Sequence, residues 1–182
     1  MRVVGFMGSP RKGGNTDILL SEVLQGAEES GAEVTKYTLC ALDISPCQAC
    51  DACRKLKHCH VEDDMQTLYE AILEADVIVL GTPIYFWGPS AQIKAFLDRW
   101  YALDQEGLRE RLAGKRALLI CAFADKDPST AAATVHMVRA AMTWLGLEFL
   151  EPLLVTAGER GEVLQNREAM QKAYAVGAAL VR

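Results

Sequence analysis

The chain has 182 residues, about half of them apolar and a quarter charged, and carries a net charge of −5. That length suits one well-buried domain, and the ordinary glycine and proline content excludes a disordered or fibrous chain. The acidic balance, with no basic run beyond two or three residues, argues against nucleic acid or an anionic membrane as the partner.

The N-terminal MRVVGFM holds one arginine and a brief apolar stretch, too short for the core of a secretory signal. The longest apolar run, Ala117 to Ala124, is far below a membrane span. The chain is therefore expected in the cytoplasm, where disulfides do not persist.

Val3–Met7 reads as a buried strand that runs into GSPRKGGNT (Gly8–Thr16) and then a helix, Thr16–Ser30. Ile18, Leu19, Val23, Leu24 and Ala27 share one face of that helix. A loop leading from a strand into a helix N-terminus is a seat for an anion, because free N–H groups and the helix dipole point at it. Ser9, Asn15 and Thr16 can donate hydrogen bonds there, and Arg11 and Lys12 add charge; Asp17 should face away. The loop is neither G-x-G-x-x-G nor G-x-x-x-x-G-K-[ST], so dinucleotide and nucleoside-triphosphate fingerprints are both missing.

After Gly31 a second strand is expected at Val34–Leu39. The stretch from about 41 to 63 then shows no periodicity, and it holds Cys47, Cys50, Cys53 and Cys59 in the pattern C-x2-C-x2-C-x5-C. A loop of that length is functional or ordered by something. Its tight spacing suits an iron–sulfur cage. It lacks the long spacer between two knuckles that structural zinc prefers, although His58 and His60 flank Cys59. Transient thiol chemistry is the remaining use, and a single dithiol pair would leave two cysteines over. Cys40 and Cys121, at strand ends among apolar neighbours, read as buried small hydrophobes.

Further helices are expected at Met65–Ala75, Ala91–Tyr101, Thr130–Leu145 and Glu168–Val181, with strands at Val77–Gly81, Ala117–Phe123 and Phe149–Val155. Runs such as VIVLG and ALLICAFA are apolar on both faces, as parallel strands covered by helices must be. The alternation gives a single α/β domain over 1–182, a doubly wound five-stranded parallel sheet with helices on both faces and right-handed crossovers. Between the third strand and its helix lies GTPIYFWGPS, an apolar aromatic loop where Ile84, Tyr85, Phe86 and Trp87 suit either a planar ligand or a subunit interface. Trp100 and Tyr101 are further interface candidates. His136, mid-helix, reads as packing or surface.

The two loops together resemble the flavodoxin-like NAD(P)H-dependent FMN reductase superfamily, as does the downstream K-A-F-x-D-R, Lys94 to Arg99. The resemblance covers nearly the whole chain and implies the strand order 2-1-3-4-5. It also implies that Ser9, Arg11, Lys12, Gly14, Asn15 and Thr16 hold the phosphate of FMN. Pro83, Ile84, Tyr85, Phe86, Trp87 and Gly88 would then frame the flavin ring, with Ala124 and Asp125 contributing from the loop after the fourth strand. The cysteine loop and the V-x-x-D-D-M after it, Val61–Met65, narrow the resemblance to the iron–sulfur flavoproteins. That narrower resemblance implies a 4Fe-4S cluster on Cys47, Cys50, Cys53 and Cys59 that exchanges electrons with FMN. A donor such as ferredoxin or NAD(P)H is implied too, as is a homodimer or homotetramer that brings one cluster near a neighbouring flavin. No side chain need act as an acid or base, since the cofactors carry the chemistry. Two other readings stay open: a cluster-free NAD(P)H-dependent FMN or quinone reductase, and a non-catalytic, redox-sensing flavin-binding regulator.

Overall fold

A computed structural model describes residues 1–181. Seven strands form, β1 (Arg2–Met7), β2 (Glu33–Thr38), β3 (Val77–Tyr85), β4 (Gly88–Pro89), β5 (Arg116–Phe123), β6 (Glu148–Phe149) and β7 (Leu153–Thr156). The sheet runs β2-β1-β3-β5-β6, with β7 also on β5 and the two-residue β4 folded back antiparallel on β3. All other pairs are parallel. β6 and β7 lie in succession along β5, so they are the expected fifth strand in two pieces. Glu151 and Pro152 step out between them, because proline has no N–H to give the ladder. Counted so, the order is the expected 2-1-3-4-5.

Helices cover both faces. α1 (Asn15–Glu29) and α7 (Arg167–Ala179) lie on one side. On the other lie α3 (Met65–Glu74), α4 (Ala91–Asp98) and α6 (Ala132–Trp144). The strands divide their side chains by the two-residue period of a pleat. Phe6, Ile78, Leu80, Leu119 and Cys121 pack under α3, α4 and α6. Met7, Val77, Val79, Leu118 and Ile120 pack under α1 and α7.

Several boundaries differ from the sequence expectation. The helix expected to Tyr101 loosens at Arg99 into a 3₁₀ turn, Arg99–Leu103, which buries Trp100 against Phe96. Trp100 is therefore a core residue and cannot serve at an interface. The cysteine stretch contains a short helix, α2 (Ala52–Leu56), and another, α5 (Leu108–Leu112), precedes β5. Cys40 is exposed on the 3₁₀ turn Leu39–Ala41, contrary to the expectation of burial, because the strand ends one residue before that turn. Cys121 is buried as expected, and burial pushes its thiol up to about 12.

α1 and α7 touch at two glycines. A Cβ on Gly26 would lie 2.1 Å from the Tyr174 carbonyl oxygen, and one on Gly177 would lie 1.9 Å from that of Val23. Backbone atoms cannot step aside as a side chain can. Gly177→Ala should therefore lower the unfolding free energy by about 1–3 kcal/mol. Urea denaturation reads this as a lower midpoint at unchanged slope; an unchanged midpoint would mean that the helices part without cost.

Candidate functional site

Every parallel strand delivers its following loop to one rim of the sheet. Five loops meet there and form two cavities.

The first cavity, about 270 Å3, lies over the ends of β1, β3 and β5. Ser9, Arg11, Gly14, Asn15 and Thr16 line one end, Pro83, Ile84 and Tyr85 another, and Ala122, Phe123 and Ala124 the floor. A fourth loop, after β7 and unexpected from the sequence, adds Ala157, Gly158 and Arg160. Its one sequence signal is Gly158, a turn residue just past the last strand. The cavity thus has a cationic end at a helix N-terminus and an apolar end, and it suits an elongated ligand with an anionic tail and a flat head.

The phosphate loop differs in detail from its expected roles. Asn15 lines the cavity, but both protons of its amide go to the carbonyls of Ala157 (3.0 Å) and Glu159 (2.8 Å), while its oxygen accepts from Val163 N (3.2 Å). Its side chain ties two loops together and has nothing left for a phosphate. Asp17 turns away as expected: it accepts from Gly13 N at 2.7 Å and pairs with Lys36, and these contacts outweigh burial to hold its carboxyl below the ordinary range. Ser9 accepts from Arg11 N at 3.2 Å, which shapes the turn. The groups left to face a ligand are the hydroxyls of Ser9 and Thr16, the first N–H groups of α1, and Arg11. Lys12 lies outside the lining.

Of the aromatic loop, Pro83, Ile84 and Tyr85 line the cavity and Phe86, Trp87 and Gly88 do not. The reason is a hairpin that sequence did not reveal. β3 runs on to Tyr85, and Phe86 and Trp87 make the turn into β4, both with positive φ, 51° and 62°. Such a turn ordinarily takes Asn-Gly, because a Cβ in the left-handed region costs about 1–2 kcal/mol per residue. It carries the Phe86 ring, 97% exposed, away from the cavity. Asp125 also lies outside the lining, with its carboxylate engaged by Asp127 N and the Thr130 hydroxyl.

The second cavity holds the cysteines. Cys47, Cys50, Cys53 and Cys59 all line it, with His60, Val61, Arg99 and Tyr101. It is about 20 Å3, room for one water molecule. Among the described residues no group of three or more His, Cys, Asp or Glu is arranged to hold a metal ion. The four thiols have the chemistry of a cluster cage, but this conformation does not assemble one. Cys50 Sγ lies 3.3 Å from His60 Nε2, and burial, foremost, pushes the Cys53 thiol up.

The loop is held by Arg99. Its guanidinium, 1% exposed, gives Nη1 to the Ser45 carbonyl at 2.8 Å and Nη2 to Cys59 Sγ at 3.4 Å. Both nitrogens reach the Asp63 carboxylate, Nη1 at 2.5 Å and Nη2 at 3.2 Å. One side chain thus grips both ends of the loop. Burial opposes the charge on each partner, but their mutual contact prevails, raising the pKa of Arg99 and lowering that of Asp63. Burial likewise pushes up the Tyr69 phenol, which donates to the Arg99 carbonyl at 2.9 Å.

The profile of the NADPH-dependent FMN reductase family matches residues 1–161. An iron–sulfur flavoprotein of Archaeoglobus fulgidus is 32% identical over 178 residues, covering 97% of this chain and 77% of that protein. Another from the same organism is 48% identical over 101 residues, 56% of this chain and 51% of its own length. The chain spans about half the length of that relative. Among solved structures, the Trp repressor binding protein from Bacillus subtilis superposes with a TM-score of 0.74 at 23% identity, over 97% of this chain and 99% of that one. A likeness at that identity shows the fold alone.

Arg99→Met should strand the Asp63 carboxylate in the interior and cost about 3–5 kcal/mol, most of it recovered in the double variant with Asp63→Leu. Because the folded pKa of Asp63 is lowered, its contribution is complete above the unfolded value and is lost as pH falls through the folded one. Denaturation midpoints across acid pH check both; an additive double variant would mean that the two residues act separately.

Proposed function

The chain belongs to the NADPH-dependent FMN reductase family, in its iron–sulfur flavoprotein branch, and from that premise we propose that it is an FMN-dependent oxidoreductase. The observation that carries this reading is the two-ended cavity at the sheet rim, where a helix N-terminus with Thr16 and Arg11 faces an apolar wall of Pro83, Ile84 and Tyr85. When bound, the flavin supplies the redox chemistry, giving or taking electrons singly or in pairs.

The residues of this chain would bind and orient it. The N-terminus of α1, Ser9, Thr16 and Arg11 hold the phosphate. Pro83 to Tyr85 and Ala122 to Ala124 enclose the ring and keep water from part of it, which strengthens polar contacts inside. Tyr85, 43% exposed, stands at the open side, where a reductant such as NAD(P)H or a ferredoxin would approach. No acid or base is assigned.

The finer reading adds a 4Fe-4S cluster on Cys47, Cys50, Cys53 and Cys59 that relays electrons to FMN. The spacing of the cysteines and the names of the relatives support it. The alternative is a cluster-free NAD(P)H-dependent FMN or quinone reductase, in which the same flavin site works without the cysteines. We also propose a homodimer or homotetramer with the exposed Phe86–Trp87 tip as a contact, and a cytoplasmic setting. No helix among the described residues is long and apolar enough to cross a membrane.

Two measurements test this. FMN titrated into the apoprotein should bind, and Arg11→Ala should weaken it about tenfold or more while Cys53→Ala changes it little; equal losses would merge two sites held here to be separate. Anaerobic purification followed by iron and acid-labile sulfide analysis decides the cluster. About four of each per chain supports it, whereas flavin bands without either remove it and leave the flavin reading intact.

A further inference from the structure

The loop between β7 and α7 reaches across the cavity to the phosphate loop. Asn15 holds it from below, through Ala157, Glu159 and Val163. Arg160 closes the contact from above, donating from Nη2 to the Lys12 carbonyl. The loop's own donors at Gly158 and Glu159 are spent on the Glu162 carboxylate, at 2.7 and 2.8 Å. Gly13 N is spent on Asp17, and Gly14 N on the Arg11 carbonyl. With those groups consumed, the free cations lining this cavity are the guanidiniums of Arg11 and Arg160, one from each side. Among the described residues Arg160 makes that one hydrogen bond and no ion pair, so most of its planar fork is left for a ligand.

We propose that Arg160 is a specificity-determining residue of this site, a clamp on a phosphate monoester held opposite Arg11. This deepens, and rests on, the reading of the cavity as an FMN site. The monoester that fits is the 5′-phosphate of FMN, seated at the N-terminus of α1 beside Arg160. The other source of the same chemistry is the 2′-phosphate of a reduced nicotinamide dinucleotide entering over the bound flavin. A clamp on phosphate discriminates FMN from riboflavin, or NADPH from NADH, without touching the reacting ring. Arg160 is exposed and at a loop tip, so its removal should leave the fold intact.

The test compares the unaltered chain with Arg160→Ala and Arg160→Lys. FMN and riboflavin affinities are measured on the apoprotein by quenching of flavin fluorescence, and KM values for NADPH and NADH on flavin-loaded protein. Arg160→Ala should weaken FMN about tenfold or more and leave riboflavin unchanged, with Arg160→Lys between, since lysine keeps the charge and loses the fork. A rise in the KM for NADPH alone, with flavin affinities unchanged, supports the clamp and assigns it to the dinucleotide. Equal losses for FMN and riboflavin, or no change in any of the four values, overturn it. Failure of the unaltered chain to bind FMN would instead sink the flavin reading, and the clamp with it.

Discussion

A parallel sheet can be built only if every strand ends on the same rim, and this constraint decides where chemistry can occur in the chain. β1, β2, β3, β5 and β7 all point their C-terminal ends one way. The loops after them must arrive together, whatever their sequences. Side chains from residues near 10, 85, 123 and 160 therefore share one cavity although the chain separates them widely. Helix α1 begins at that rim, so its unpaired N–H groups face the cavity without any special sequence beyond room for the turn.

The long second loop needs more than topology. A stretch of some twenty residues with one five-residue helix has little internal hydrogen bonding, and three of its non-glycine residues, Ala49, Asp51 and Lys57, hold positive φ. Such a segment keeps a shape only if something outside it supplies the energy. Arg99 does so by placing a desolvated charge where Asp63 and the Ser45 carbonyl can meet it. Its Nε finds no partner, so the pair is not fully compensated.

The fold was legible in the sequence because buried parallel strands are apolar on both faces and their helices carry a 3.6-residue period. The turn from β1 into α1 was legible because strand, small residues and helix succeed one another directly. What stayed hidden needed knowledge of partners distant in sequence. Asn15 looked like a phosphate donor, since nothing local showed that residues 157–163 would claim its amide. Phe86 and Trp87 looked like ring contacts, since a two-residue turn of aromatics at positive φ contradicts turn preference. Arg160 sits in a polar turn with no periodicity. The cysteine spacing was plain, but spacing carries no information about how far a loop has closed.

The two cavities are joined by a rigid element. α4 is capped at its start by Ser90, whose hydroxyl gives a hydrogen bond to the Gly8 carbonyl at 2.6 Å and whose N–H reaches Thr82 at 3.0 Å. That end belongs to the rim of the first cavity, between the loop after β1 and the end of β3. The chain leaving the other end carries Arg99, which holds the cysteine loop. Eight helical residues span about 12 Å, a length that side-chain motion does not alter. Between these ends Ile93 and Phe96 are buried against the sheet, so the helix cannot rotate without opening the core. The K-A-F-x-D-R stretch, Lys94 to Arg99, thus connects the rim of the first cavity to the lining of the second, although the two share no lining residue.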